Sequence, residues 1–175
     1  MKIEITAHDP AWAEMARAEA ERWQRALGAT LSRVHHVGST AVEGLSARPV
    51  IDLIPVIAPG TDPDSLRPLV HGLGYEWLGE HGLPRRRYCR RSSATTGRRL
   101  FQAHCWSEGD SEITRHLAFR DALRADPLLR GAYEQRKRHC ASLHLHDPAG
   151  YGACKAAWID SVEARALASL GEDGA

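Results

Sequence analysis

The sequence predicts a mixed α/β domain of the α+β kind, a β-sheet in the front half packed with helices and followed by a helical C-terminal half. Three observations predict it. Asp-Pro recurs at 9–10, 62–63, 126–127 and 147–148, each time ahead of apolar residues spaced three and four apart. The segment Pro49–Ile57 is a nearly continuous apolar run, the pattern of a buried strand. Two further segments, Arg85–Arg91 and Arg99–Trp106, flank the turn-like cluster SSATTG and read as a hairpin.

Each Asp-Pro is a helix start. The carboxylate accepts from the free N–H groups of the first turn, and proline tolerates the first helical position because its missing N–H would be unpaired there anyway. The first helix then runs over Pro10–Leu27, with Trp12, Met15, Ala16, Trp23 and Leu27 on one face and Gly28 as the stop. The second covers Pro63–Leu73 and ends at Gly74. Pro127–Leu143 and Pro148–Leu170 are the other two, and a further helix fills Asp110–Arg124, where Ile113, Leu117 and Ala118 give an apolar face. Leu31–Val37 is a strand ending at Gly38, and Tyr75–Leu78 is an edge strand.

The length of 175 residues suits one domain spanning 1–175. A net charge of +1 gives the whole chain no polyanion-seeking character, and ten histidines make the charge rise below neutral pH. The start MKIEITAHDP has no apolar signal run and no stretch approaches a membrane span, so a cytoplasmic location without membrane association is expected. Cys89, Cys105, Cys140 and Cys154 form no CxxC and are expected as reduced thiols. There is no GxxxxGK[ST] and no GxGxxG after a strand, which removes the P-loop and Rossmann readings.

The chemistry concentrates in His35-His36-Val37-Gly38-Ser39-Thr40 followed by Arg48-Pro49-Val50-Ile51-Asp52. Glycine permits a tight turn close to a ligand, and N–H groups opening a short helix attract phosphate. Asp52 is one acid in an apolar strand, costly unless paired, hydrogen-bonded or bound to metal. The stretch VHHVGSTAVEGLSARPVIDLIPVI resembles the GrpB signature, in which H-x-GST-x-V, a basic-Pro pair and an apolar strand with one Asp follow in order. HLAFRDALRADP, Tyr133-x-x-x-Lys137 and Tyr151-x-x-x-Lys155 match the C-terminal half of that family, so the resemblance covers about Ile5 to Leu167.

GrpB proteins are similar in fold to nucleotidyltransferases, so the resemblance implies a nucleotidyltransferase-like sheet. In that superfamily a Gly-Ser turn holds a nucleotide triphosphate, and an Asp-x-Asp pair on the next strand binds divalent metal. Residues two apart on a strand share a face, so both carboxylates meet one ion. The resemblance implies phosphate contacts from Gly38, Ser39 and Thr40. It makes Asp52 a magnesium ligand or a base; His36 before the turn and His104 on the hairpin stand in for the missing acid if the sheet brings them near Asp52, and the resemblance favours both. It has Arg86 or Arg87 facing the site, and Arg120, Lys137 and Lys155 neutralising an anionic ligand. The chain departs from the superfamily at Ile54, where the second acid would stand, and at Gln102 and His104, where a third would come.

The expected function is an enzyme binding a nucleotide triphosphate such as ATP with Mg²⁺, moving a nucleotidyl group to a small molecule or adenylating it for ligation. A non-catalytic nucleotide- or coenzyme-binding module is the alternative. RNA binding is a third, because Arg85–Arg99 carries seven arginines and no acid. Taken singly, each Tyr–Lys pair also reads as a core tyrosine with its lysine reaching to water. A zinc site using Cys140, His139, His144 and His146 has poor helical spacing.

Overall fold

The computed structural model describes residues 2–172. Ten elements follow in order: α1 (Ala11–Leu27), β1 (Leu31–Val37), β2 (Ile51–Ile57), α2 (Arg67–Gly72), β3 (Glu76–Trp77), β4 (Arg87–Ser92), β5 (Arg99–Ser107), α3 (Ser111–Ala125), α4 (Pro127–Leu143) and α5 (Pro148–Glu172). The strands form one five-stranded sheet in the order β1-β2-β5-β4-β3. β2 and β5 run parallel, and the other neighbours are antiparallel. This is the mixed sheet with a helical C-terminal half that the sequence predicts.

All four Asp-Pro pairs act as predicted. Asp9, Asp62, Asp126 and Asp147 accept from the backbone N–H of Ala11, Asp64, Leu128 and Ala149 at 2.8–3.1 Å. Asp110 does the same for α3 through Glu112. The helix expected over Pro63–Leu73 opens as a tighter 3₁₀ turn, Pro63–Leu66, before α2. A second proline, Pro68, occupies the first turn of α2, where its missing N–H does no harm.

β2 is an interior strand between β1 and β5, and its apolar run fits burial on both faces. Alternation sends Ile51, Leu53 and Ile57 toward α1 and α2, where they meet Trp12, Trp23, Leu27, Val70, Phe101 and Ala103. It sends Ile54 and Val56 to the other face, with Val37, Trp106 and Ile113. α3, α4 and α5 add a third cluster around Phe119, Leu123, Tyr133 and Val162, with Trp158 stacked on Tyr133.

Three expectations are corrected. Met15 is 38% exposed, and Glu19, at 2% exposure, joins Trp12, Ala16, Trp23 and Leu27 on the buried face of α1. Glu19 is satisfied there by Arg22, by Arg91 at 2.6 Å and by the Tyr75 hydroxyl at 3.0 Å. Cys140 and Cys154 are joined as a disulfide, because α4 and α5 bring their Cα atoms to 5.8 Å; Cys89 and Cys105 are buried thiols. The arginine hairpin is ion-paired: Arg85 with Asp110, Arg87 with Asp64, Arg90 with Glu76, Arg91 with Glu19 and Arg98 with Glu4. These acids come from elements distant in sequence, which is why the hairpin alone looks uncompensated. Among the described residues no helix is long and apolar enough to cross a membrane.

Candidate functional site

The site begins where β1 ends. Gly38 has φ +71°, and the chain then makes a 3₁₀ turn over Ser39–Ala41. Space as well as conformation requires glycine here. A Cβ on Gly38 would lie 2.7 Å from Asp52 Oδ2, closer than side-chain carbons come to such atoms. The turn is therefore laid directly against the Asp52 carboxylate.

Asp52 pairs across the parallel ladder with Gln102, so the two side chains share one face of the sheet. Gln102 Nε2 donates to Asp52 Oδ1 at 2.9 Å, and the Tyr88 hydroxyl donates to Gln102 Oε1. His104, two residues along β5, lies on the same face with Nε2 3.8 Å from Asp52 Oδ1. Arg86 Nη1 stands 3.4 Å from His104 Nδ1. The guanidinium is held by the carbonyls of Glu80 and His81 and sits over the Tyr88 ring at 5.0 Å. His116 of α3 closes this row, its ring 5.8 Å from that of His104. Burial, then the neighbouring His104, pushes the His116 imidazole down to about 3, so it is neutral at physiological pH.

The opposite wall is cationic. A cavity of about 210 Å³ is lined by Ser39, Thr40, Asp52 and Gln102 on the sheet side and by Arg48, Lys137 and Lys155 across from them. Lys137 is only 2% exposed. Its Nζ donates to the Ser46 carbonyl and lies 4.9 Å from the centre of the Tyr133 ring. Burial, and after it the charge of Lys155, push Lys137 down to about 7. Burial and then Arg48 push Lys155 down to about 8. Lys155 Nζ sits over the Tyr151 ring at 4.0 Å. Both tyrosines are in the core, as the packing reading has it, but their lysines turn into the cavity instead of out to water. An ammonium buried with like charges is stabilised by an anion, and this cavity offers one acid, Asp52, to three cations.

The structure separates other sequence candidates from this cavity. His36 pairs with Leu53 in the antiparallel ladder and Val37 with Asp52, so His36 is on the opposite face from Asp52, and His35 is on the same one. This corrects the expectation of a His36–Asp52 pair: the face follows from the register, which the sequence leaves free. His36 Nε2 instead lies 2.9 Å from Thr40 Oγ1, and burial pushes its imidazole down to about 4. Arg120 donates to the His36 carbonyl at 3.0 Å and forks onto Asp121, and Arg124 donates to the Ala41 carbonyl at 2.9 Å. Both arginines pin the turn from α3. Arg87 makes a two-pronged pair with Asp64 at 2.7 Å, on the face away from His104. Of the Arg86–Arg87 pair, Arg86 is the one beside the site.

Arg48, Tyr88, Gln102 and His116 are part of the constellation although the sequence singles none of them out as a site residue. Arg48 stands in the Arg-Pro pair of the motif, and Gln102 is a polar residue in an apolar alternation. Both signals are present in the chain, but neither carries a direction until the sheet is assembled.

The donor set does not fit a two-carboxylate magnesium site. Ile54 shares a face with Asp52, but it is fully buried among Val37, Val56 and Trp106. The third position is an amide, Gln102, which donates an N–H to Asp52 Oδ1 and supplies no second carboxylate. Among the described residues no three His, Cys, Asp or Glu side chains converge to hold an ion, and Cys140 of the zinc reading is in the disulfide.

A family model described as GrpB protein matches residues 2–165. The UPF0157 protein PA4798 of Pseudomonas aeruginosa is 34% identical over 169 residues, 96% of this chain and 69% of its own length. The UPF0157 protein YqkA of Bacillus subtilis is 31% identical over 165 residues, 94% of this chain and 47% of its own, so the chain spans about half that relative. Among solved structures, the conserved protein GrpB from Enterococcus faecalis superposes with a TM-score of 0.87 at 33% identity, covering 95% of this chain and 99% of that one. The Cid1 poly(U) polymerase bound to MgATP superposes with a TM-score of 0.52 at 17% identity, over 86% of this chain and 50% of its own, a likeness of fold alone.

Proposed function

The chain belongs to the GrpB family and carries a nucleotidyltransferase-like fold, and from that premise we propose that it is an enzyme that binds a nucleotide triphosphate, ATP above all, and transfers the nucleotidyl group to a small molecule. The observation that carries the reading is the convergence of Arg48, Lys137 and Lys155 on the same cavity as the Ser39–Thr40 turn and Asp52.

On this reading the backbone and hydroxyls of Gly38, Ser39 and Thr40 hold the phosphate chain. Arg48, Lys137 and Lys155 neutralise it, doing with fixed cations part of what magnesium does in two-carboxylate enzymes. An acceptor oxygen or carboxylate attacks the α-phosphorus and pyrophosphate leaves. Where the acceptor is a hydroxyl, its proton passes to Asp52, which Gln102 orients and His104 backs at 3.8 Å. Arg86 holds the His104 ring. A carboxylate acceptor gives an acyl-adenylate and opens a ligase reaction. A second reading, a binding module without turnover, is favoured by Ile54 and by the amide already bonded to Asp52.

The test is titration with ATP, GTP, CTP and UTP, with and without Mg²⁺, together with transfer of α-labelled nucleotide to a small-molecule extract. Wild type binds a triphosphate, and Lys137→Met weakens it by about tenfold, about 1.4 kcal/mol, or more. If the protein is an enzyme, Asp52→Asn still binds but transfers no label. If it is a module, no variant and no acceptor yields labelled product. Failure of wild type to bind any nucleotide removes both readings.

A further inference from the structure

A second cavity, of about 290 Å³, opens beside the first, and Arg48 and Val50 line both. Its remaining wall holds Lys2, Arg98 and Arg99 against one acid, Glu4. Arg98 approaches Glu4 no closer than 3.9 Å, and both are largely exposed. Arg99 reaches the Tyr88 hydroxyl at 3.5 Å with Nη1, while its Nε is buried and has no hydrogen-bond partner among the described residues. Among the described residues no carboxylate pairs with the Arg99 guanidinium, so its charge in the cleft wall is complemented by an anion that enters there.

This cleft is built, not incidental. The Ile3 N–H donates to the Leu145 carbonyl at 2.8 Å, and Ile3, 4% exposed, packs against Cys140 and Tyr151. Thr6 and Ala47 exchange backbone bonds at 2.9 Å, which ties the N-terminal segment to the segment carrying Arg48. The wall bearing Lys2 and Glu4 is thus fixed to α4 on one side and to the Arg48 strand approach on the other.

We propose that the two cavities act as one elongated site for a small molecule carrying two separated anionic groups, a phosphoryl group inside at Lys137 and Lys155 and a second phosphate or carboxylate outside at Arg98, Arg99 and Lys2, with Arg48 between them. The proposal rests on the inner cavity being a phosphate site, as in the proposed function, and adds the charge and length of what enters. Two anchors on one molecule bind far more tightly than either alone when the spacer matches their separation, and the advantage falls when it is too short or too long.

Orthophosphate and alkane-α,ω-diyl bisphosphates of increasing chain length are the probes, titrated into wild type, Lys137→Met and the double variant Lys2→Ala/Arg98→Ala. Lys2 and Arg98 are exposed, so the double variant leaves the core intact. Affinity is expected to peak at one intermediate length, at least about tenfold above orthophosphate. The double variant removes the peak and retains the orthophosphate binding that Lys137→Met weakens, whereas Lys137→Met lowers affinity for orthophosphate and bisphosphates alike. Bisphosphates that bind no tighter than orthophosphate at any length overturn the proposal while leaving the inner site standing. So does a peak that survives the double variant. Absence of binding by every probe removes the inner site too.

Discussion

At Gly38 two independent constraints coincide, a left-handed φ of +71° and a missing Cβ that would fall 2.7 Å from Asp52 Oδ2. Gly38→Ala is expected to lose about 1–3 kcal/mol from the backbone alone. It must also displace Asp52 or the turn, so phosphate affinity falls with stability. Urea unfolding and a phosphate titration on the same sample check both. Lys137 makes a prediction of the opposite kind. Burial pushes it down to about 7, and the unfolded chain titrates near its ordinary value, about 10.4. Between the two the unfolded state holds a proton that the folded state does not, so stability of the ligand-free protein rises as pH rises through this window. The slope is about 1.4 kcal/mol per pH unit for Lys137 in its steepest range, with a similar part from Lys155 above about 8. Denaturant midpoints in phosphate-free buffer from pH 7 to about 10 read it, and Lys137→Met removes the part of the slope that begins near 7.

Among the elements, α4 and α5 carry Lys137 and Lys155 of the cationic wall, and the Cys140–Cys154 bond joins them one turn beyond Lys137 and directly before Lys155. The bond closes a loop with a sequence separation of 14, for which chain entropy gives about 3 kcal/mol. Cys140→Ser/Cys154→Ser is expected to lose about 2–3 kcal/mol in thermal or urea unfolding, and dithiothreitol to reproduce the loss in wild type. The elements themselves are legible in the chain: Asp-Pro caps announce α1, α4 and α5, and the apolar run announces β2. The turn at Gly38–Thr40 and the lone Asp52 are legible too, because local chemistry makes them unusual. What is not legible depends on register and on packing between distant segments. His36 and His35 exchange faces on a one-residue choice of pairing with β2. The hairpin arginines find Asp64, Asp110 and Glu19 only after the chain has folded. Arg48 and Gln102 gain their roles from neighbours fifty to a hundred residues away.

For the whole molecule, the sheet divides labour between its faces. One face is closed by α1 and α2 over a large apolar cluster; the other, under the C-terminal helices, holds Asp52 and Gln102 in a cavity with Arg48, Lys137 and Lys155, and His104 beside Asp52. The fold is nucleotidyltransferase-like, and beside Asp52 it carries an aliphatic residue, Ile54, an amide, Gln102, and the basic residues Arg48, Lys137 and Lys155. Function belongs to such a site and not to the frame. We propose that this cavity receives the phosphates of a nucleotide. Calorimetric titration of ATP without magnesium at pH 8, in two buffers of different ionisation enthalpy, tests it on wild type and Lys137→Met. Binding is expected to be accompanied by proton uptake, because phosphate restores the charge on a lysine that burial pushes down to about 7, with affinity at least about tenfold lower in the variant. Binding that takes up no proton and is indifferent to Lys137→Met, or no binding at all, contradicts it.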